Sequence, residues 1–221
     1  MKNGTGAIRL SVFVSFAVAC LLLVFLLASG CLPSNVSLEP DIKDGGFLSG
    51  EPCGPPCFLS IVPGATRETQ AIQILTATGL YQNCFVYNHE AESGLRGIIC
   101  SHVGIAFYRG ADVVGSVGFD SSQSLTVGEV IAKYGKPDAI TVGTMGTPEE
   151  QPNTVMALHY EGIHADVGLG QQEGVKFEIT STTPIESIGY SASGYPSENE
   201  SANKLLLPWN GYGEYHEPPI P

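Results

Sequence analysis

Charge is scarce in this chain. Only 14% of its 221 residues are Asp, Glu, Lys or Arg, against roughly a quarter in an average soluble protein. Basic residues are the scarcer kind: ten Lys and Arg face 22 Asp and Glu, a formal charge of −12. Nucleic acid is therefore not an expected partner, because phosphate neutralisation needs clusters of Lys and Arg. Electrostatic docking on anionic lipid is disfavoured for the same reason. The chain also lacks a Gly-x-Gly-x-x-Gly before a helical pattern, a phosphate loop, a Gly-x-Ser-x-Gly elbow and any Cys-x-x-Cys. Each of those would have brought a cofactor or a nucleophile with it. Glycine and proline, 27 and 15 residues, stay below the range of low-complexity chains, so a folded body is expected.

What is present is concentrated at the N-terminus. Lys2 and Arg9 are the only charges before Glu39, and the nineteen residues Leu10 to Ala28 carry none. A positive start, an apolar run and small residues at its end describe a secretory signal. The run exceeds the usual h-region of about 7–15 residues and approaches the roughly 20 that span a bilayer. Its length alone does not separate a cleaved signal from a retained transmembrane helix. Leu27-Ala28-Ser29-Gly30-Cys31 resembles the lipobox of bacterial lipoproteins, with Ala28 where Leu is usual. That resemblance implies cleavage before Cys31, lipidation of Cys31 (a palmitate-type acyl anchor among its chains) and a body outside the cytoplasm. Without the leader, eight basic residues face 22 acidic ones, a net of −14.

The expected organisation is a signal or retained helix over 1–30, a lipidated Cys31 and flexible linker over 31–51, a folded domain over 52–195 and an aromatic, Pro-rich tail over 196–221. The linker reading rests on LPSNVSLEPDIKDGGFLSGE, where no period of 2 or 3.6 persists. As a coil it would reach on the order of 25 Å. Within the body, helices are expected over Thr66–Thr78, capped by Thr66, and Thr126–Tyr134, where Thr126 and Glu129 fit a capping box and Gly135 and Pro137 stop the turn. Strands are expected over 83–87, 97–100, 103–108, 113–119, 139–143, 154–160, 163–169 and 175–180. Val175, Phe177 and Ile179 alternate with Lys176, Glu178 and Thr180, as in an antiparallel sheet with one wet face. The glycines of Val113–Gly118 mark a bend or bulge.

IVPGATRETQAIQILTATG and SLTVGEVIAKYGKPD read as two copies of one entry, giving an α+β fold of two helix-plus-antiparallel-sheet units, a degenerate tandem repeat. Leu125-Thr126, Val130-Ile131, Gly135 and Pro137-Asp138 are similar to envelope modules of the BamE (SmpA/OmlA) kind, and the tandem arrangement resembles β-lactamase-inhibitor proteins. The match covers about 14 residues and implies a binding module without transferring any functional residue. Pro52-Cys53-Gly54-Pro55-Pro56-Cys57 followed by Pro63-Gly64 resembles uncharacterised bacterial lipoproteins.

Cys20 lies in the apolar run and Cys31 is the lipid site, which leaves four cysteines in an oxidising compartment. Cys84 and Cys100 sit on adjacent expected strands, so Cys84–Cys100 and Cys53–Cys57 are the expected bridges among three connectivities. A zinc or redox role has weak spacing support.

The densest polar group is His159-Tyr160-Glu161-Gly162-Ile163-His164-Ala165-Asp166. A two-residue hairpin at Glu161-Gly162 would set His159 opposite His164 and gather both with Asp166 on one face, within reach of a divalent metal. Polar residues on a wet sheet face are the plainer account. Glu149-Glu150 reads as a solvated pair. In the tail, Trp209, Tyr212 and Tyr215 either fold back over the sheet or form a contact patch. The sequence thus predicts a membrane-anchored, non-enzymatic envelope protein that binds a protein partner, with no cofactor. The rival is a metal-dependent binder or enzyme using His159, His164 and Asp166.

Overall fold

A computed structural model describes residues 42–89, 95–107, 110–121, 124–145, 153–194 and 206–216. The apolar run, Cys31 and Glu149-Glu150 lie outside the described residues. No helix among the described residues is long and apolar enough to cross a membrane.

In chain order the elements are α1 (Glu68–Ala77), β1 (Phe85–His89), β2 (Leu95–Ile99), β3 (Val103–Phe107), β4 (Val114–Asp120), α2 (Val127–Tyr134), β5 (Ala139–Met145), β6 (Asn153–Tyr160), β7 (Ala165–Glu173), β8 (Lys176–Ile179), β9 (Ile185–Ser191), β10 (Leu206–Leu207) and β11 (Gly213–His216). Nine strands form one sheet in the order β1-β2-β3-β4-β9-β7-β6-β5-β10, and β8 pairs with β11 in a separate ribbon. The sheet pairings are antiparallel.

This corrects the expected α+β tandem. Among the described residues the protein is mostly antiparallel sheet with two short helices. The physical reason is β9, which the sequence reading passed over. It pairs with β4 on one side and β7 on the other, so the strands after each helix merge into one sheet. The second half also sends β8 out of the sheet, which breaks any repeat of the first.

One face of the sheet is apolar. Ile105, Val117, Ile188, Val167, Leu158 and Ile140 lie across its six central strands, each 1% exposed or less. Ala71 and Leu75 of α1, Val127 and Val130 of α2, and Phe177 and Ile179 of β8 join the same cluster. Period-2 burial along β3, BiBiB, follows from alternate side chains pointing to opposite faces. The expected capping box at α2 forms: Thr126 Oγ1 accepts from Glu129 N at 3.4 Å, and Glu129 Oε2 accepts from Thr126 N at 2.9 Å. Thr66 does not cap α1. Its hydroxyl accepts from Val62 N at 2.8 Å, and Gln70 Oε1 accepts from Arg67 N at 3.1 Å. Arg96 of β2 holds Glu68 of α1 through both carboxylate oxygens, at 2.9 and 2.7 Å, joining helix to sheet.

The expected linker is shorter than 31–51. Ile42, Asp44 and Phe47 are buried, and Phe47 packs between Tyr134 and Tyr190 at 5.1 and 6.4 Å. Asp44 accepts from Gly46 N, Leu48 N, Ser49 N and Ser49 Oγ, at 2.6–3.1 Å, which folds the Asp-Gly-Gly stretch into a compact turn. Both expected disulfides form, Cys53–Cys57 and Cys84–Cys100. The second follows from hairpin register: Phe85 pairs with Ile99, so the flanking cysteines face each other. The bend or bulge expected within Val113–Gly118 is a bulge: the register shifts between Ala106, opposite Ser116, and Phe107, opposite Val114.

The tail folds back. β10 pairs with β5 and covers that edge of the sheet, and β11 pairs with β8. Trp209 stacks on Tyr215 at 6.1 Å, and Tyr212 meets Trp209 edge-on at 5.9 Å. Tyr215 is buried, donates to Gly211 O at 2.7 Å and accepts from Asn210 N at 3.0 Å.

Candidate functional site

The opposite face of the sheet is an open groove of about 650 Å³ whose floor is built from small residues. Cross-strand register aligns them in rows. Gly104 on β3 pairs with Gly118 on β4, and Gly118 with Gly189 on β9. Gly189 pairs with Asp166 on β7, and Asp166 with His159 on β6. A flanking row runs Ala106, Ser116, Ser191, and another Ser187, Gly168, Ala157, Thr141. Three adjacent strands thus expose bare backbone, and the row ends at a carboxylate.

These glycines are not demanded by the fold. None of Gly104, Gly118 and Gly189 has a positive φ. A Cβ at Gly104 would meet nothing within 4 Å, at Gly118 only Ile188 O at 3.9 Å, and at Gly189 nothing closer than 3.8 Å. Elsewhere on this face a neighbouring backbone does require glycine: a Cβ at Gly97 would collide with Ile105 O. Glycine inside a strand costs about 0.5–1 kcal/mol relative to Ala, and often marks close approach of a ligand or another backbone.

Beside the glycine row lies a hydrogen-bonded array across β5, β6 and β7. Asp166 Oδ1 meets His159 Nδ1 at 2.5 Å, and His159 Nε2 meets Thr141 Oγ1 at 3.0 Å. His159 and Thr141 are buried, and Asp166 is partly exposed to the groove. The carboxylate favours a proton on Nδ1, which leaves Nε2 to accept from the threonine hydroxyl. The order hydroxyl, imidazole, carboxylate is that of acyl-transfer triads. Thr141, however, is only 4% exposed and sits mid-strand between β6 and β10. Its neighbouring amides belong to the sheet ladder, so donors for an oxyanion are lacking there. The array fixes the orientation of Asp166.

The expected group of His159, His164 and Asp166 is half assembled. Glu161–Ile163 form a 3₁₀ turn rather than a two-residue hairpin, and His164 closes it in the left-handed region at φ 51°. Register therefore shifts by two residues: His159 pairs with Asp166 and Tyr160 with Ala165, while His164 is exposed in the turn. No group of three or more His, Cys, Asp or Glu among the described residues could hold a metal ion, and both ring nitrogens of His159 are engaged.

Other ionisable side chains at the groove are Asp120 and His102, 3.9 Å apart at one side. Among the described residues neither Lys nor Arg lines it. Apolar surface continues from one end: Ile99, which lines the groove, is 40% exposed and pairs with Phe85, 57% exposed. The glycine row escaped the sequence reading because its members lie at 104, 118 and 189 and meet only through the pairing of β9.

No protein-family model, curated protein or solved structure matches this chain.

Proposed function

We propose that this protein is a membrane-anchored cell-envelope lipoprotein, lipidated at Cys31, whose folded body is a non-enzymatic protein-binding or scaffolding module. The partner docks on the groove face of the nine-stranded sheet. One observation carries the reading: Gly104, Gly118 and Gly189 leave the floor bare although neither backbone conformation nor crowding requires glycine there. An open floor lets a partner's main chain lie directly on the sheet, and the exposed Phe85 and Ile99 at one end supply the apolar contact that anchors interfaces. The lipobox-like Leu27–Cys31 segment supports the anchor. Several acyl chains on one residue are sufficient for stable attachment, since each buried CH₂ contributes about 0.8 kcal/mol.

Filling the floor tests the reading. The full-length Gly118→Leu chain is expected to melt with wild type and to lose the protein that wild type captures from solubilised envelopes. Unchanged capture would place the partner elsewhere. Mass analysis of the mature chain is expected to find an acylated Cys31 start; an unmodified Met1 start removes the anchor.

A further inference from the structure

The docking surface ends in one oriented acid, and this says what the docked segment carries. Resting on the docking reading above, we infer that the groove selects a polypeptide segment bearing a Lys or Arg, whose main chain lies over Gly104 and Gly118, whose aliphatic stem crosses Gly189 and whose cationic head binds Asp166.

The argument begins with the row. Neighbouring strands are about 4.8 Å apart, so β3, β4 and β9 offer a bare strip about 10 Å long, with Asp166 one strand further. The segment's main chain over Gly104 and Gly118 and one long unbranched stem over Gly189 together cover such a strip, and charged side chains commonly rest their methylenes on uncharged surface while the head reaches a polar partner. At the end of the strip, Asp166 Oδ1 is held by His159 Nδ1, and His159 is held in turn by Thr141. Among the described residues no other side chain bonds the Asp166 carboxylate, which leaves Oδ2 to accept from an incoming donor. The ring behind it fixes the carboxylate before the partner arrives, so little ordering is left for the moment of binding. Charge complementarity points the same way. Among the described residues the lining carries Asp120 and Asp166 and no Lys or Arg, and the chain as a whole is strongly acidic. An acidic segment would meet repulsion there, and a neutral one would leave Oδ2 without an ionic partner. A cation held beside a carboxylate and hydrogen-bonded to it makes the stronger class of contact.

The probes are two peptides, acetyl-Gly-Ser-Arg-Ser-Gly-amide and its Gln counterpart, titrated into isotope-labelled full-length protein while backbone amide signals are followed. Wild type is expected to show shifts at Gly118 and Gly189 with the Arg peptide and at least tenfold weaker binding of the Gln peptide. Asp166→Asn, which keeps an acceptor for His159, is expected to lose the preference for Arg. Glu178→Gln, an exposed change on β8 outside the groove lining, is expected to retain it. Arg preference undiminished in Asp166→Asn, or reduced as much by Glu178→Gln, would overturn the inference by assigning the effect to general charge. If both peptides shift the row equally, the cation is wrong while the docking surface stands. If neither shifts it, the inference and the docking reading both fall.

Discussion

Two side chains of the buried core carry consequences of opposite sign. Tyr190 is fully buried, and its hydroxyl has no hydrogen-bond partner among the described residues. Burial, reinforced by nearby Tyr134 and Asp44, pushes its ionisation far above the ordinary phenol range. An unsatisfied buried hydroxyl costs about 1–3 kcal/mol. Tyr190→Phe is therefore expected to raise stability by about 1 kcal/mol, read as a higher urea midpoint with an unchanged slope. Asp44 is the reverse case. Burial alone would raise its pKa, but donors from Ser49, Gly46 and Leu48 outweigh it and hold the carboxyl below its ordinary 3.8. A lowered folded-state value means the ion stabilises the fold at neutral pH. That contribution starts to fade as pH falls below 3.8 and is gone once pH passes the lowered value. Asp44→Ala is expected to cost about 2 kcal/mol at pH 7 and to flatten the acid limb of a stability-against-pH curve. An equally steep limb in the variant would show that another group sets it.

At the scale of elements, the Cys84–Cys100 bridge closes the β1–β2 hairpin with a sequence separation of 16. A loop of that length is worth about 3 kcal/mol by the chain-entropy account. The double variant Cys84→Ser/Cys100→Ser is expected to unfold at lower denaturant by that amount, and Cys53→Ser/Cys57→Ser, with a separation of 4, by less. The Cys84–Cys100 bridge was legible because its flanking residues announced adjacent strands, and Cys53–Cys57 because it pairs the two cysteines then left in the body. So were α2, whose Thr126 and Glu129 cap it locally, and most strands on each side of the helices. The strands that set the architecture were not. β9 reads Ile-Glu-Ser-Ile-Gly-Tyr-Ser after Pro184, and its Ser and Gly positions dilute the apolar signal because they face the groove. Strands β10 and β11 are two and four residues long, too short for a period to emerge. The polar group at 159–166 was visible as composition, yet its register turned on whether two or more residues formed the turn. A turn two residues longer exchanged His164 for Asp166 opposite His159 and left the strand faces unchanged.

For the molecule as a whole, acidity and the bare groove describe one surface seen at two distances. The far field of a strongly acidic chain attracts basic partners and repels acidic ones, and the row from Gly104 to Asp166 reads the partner once it arrives. The field screens with salt, over roughly 10 Å at 0.1 M, whereas contact with the floor does not. Strand order also has a consequence in time. Strands β1–β4 and β5–β7 are consecutive neighbours, but among the described residues the two sets join in the sheet only through residues 185–191. A chain delivered N-terminus first across a membrane would hold two incomplete sheets, with β4 and β7 open at their edges, until nearly its last forty residues emerged. Ending the chain after Pro184 is expected to abolish the cooperative thermal transition rather than lower its midpoint. A chain built this way stays sticky for most of its synthesis and becomes inert almost at once near the end, so its demand for a holding chaperone is set by the position of one seven-residue strand.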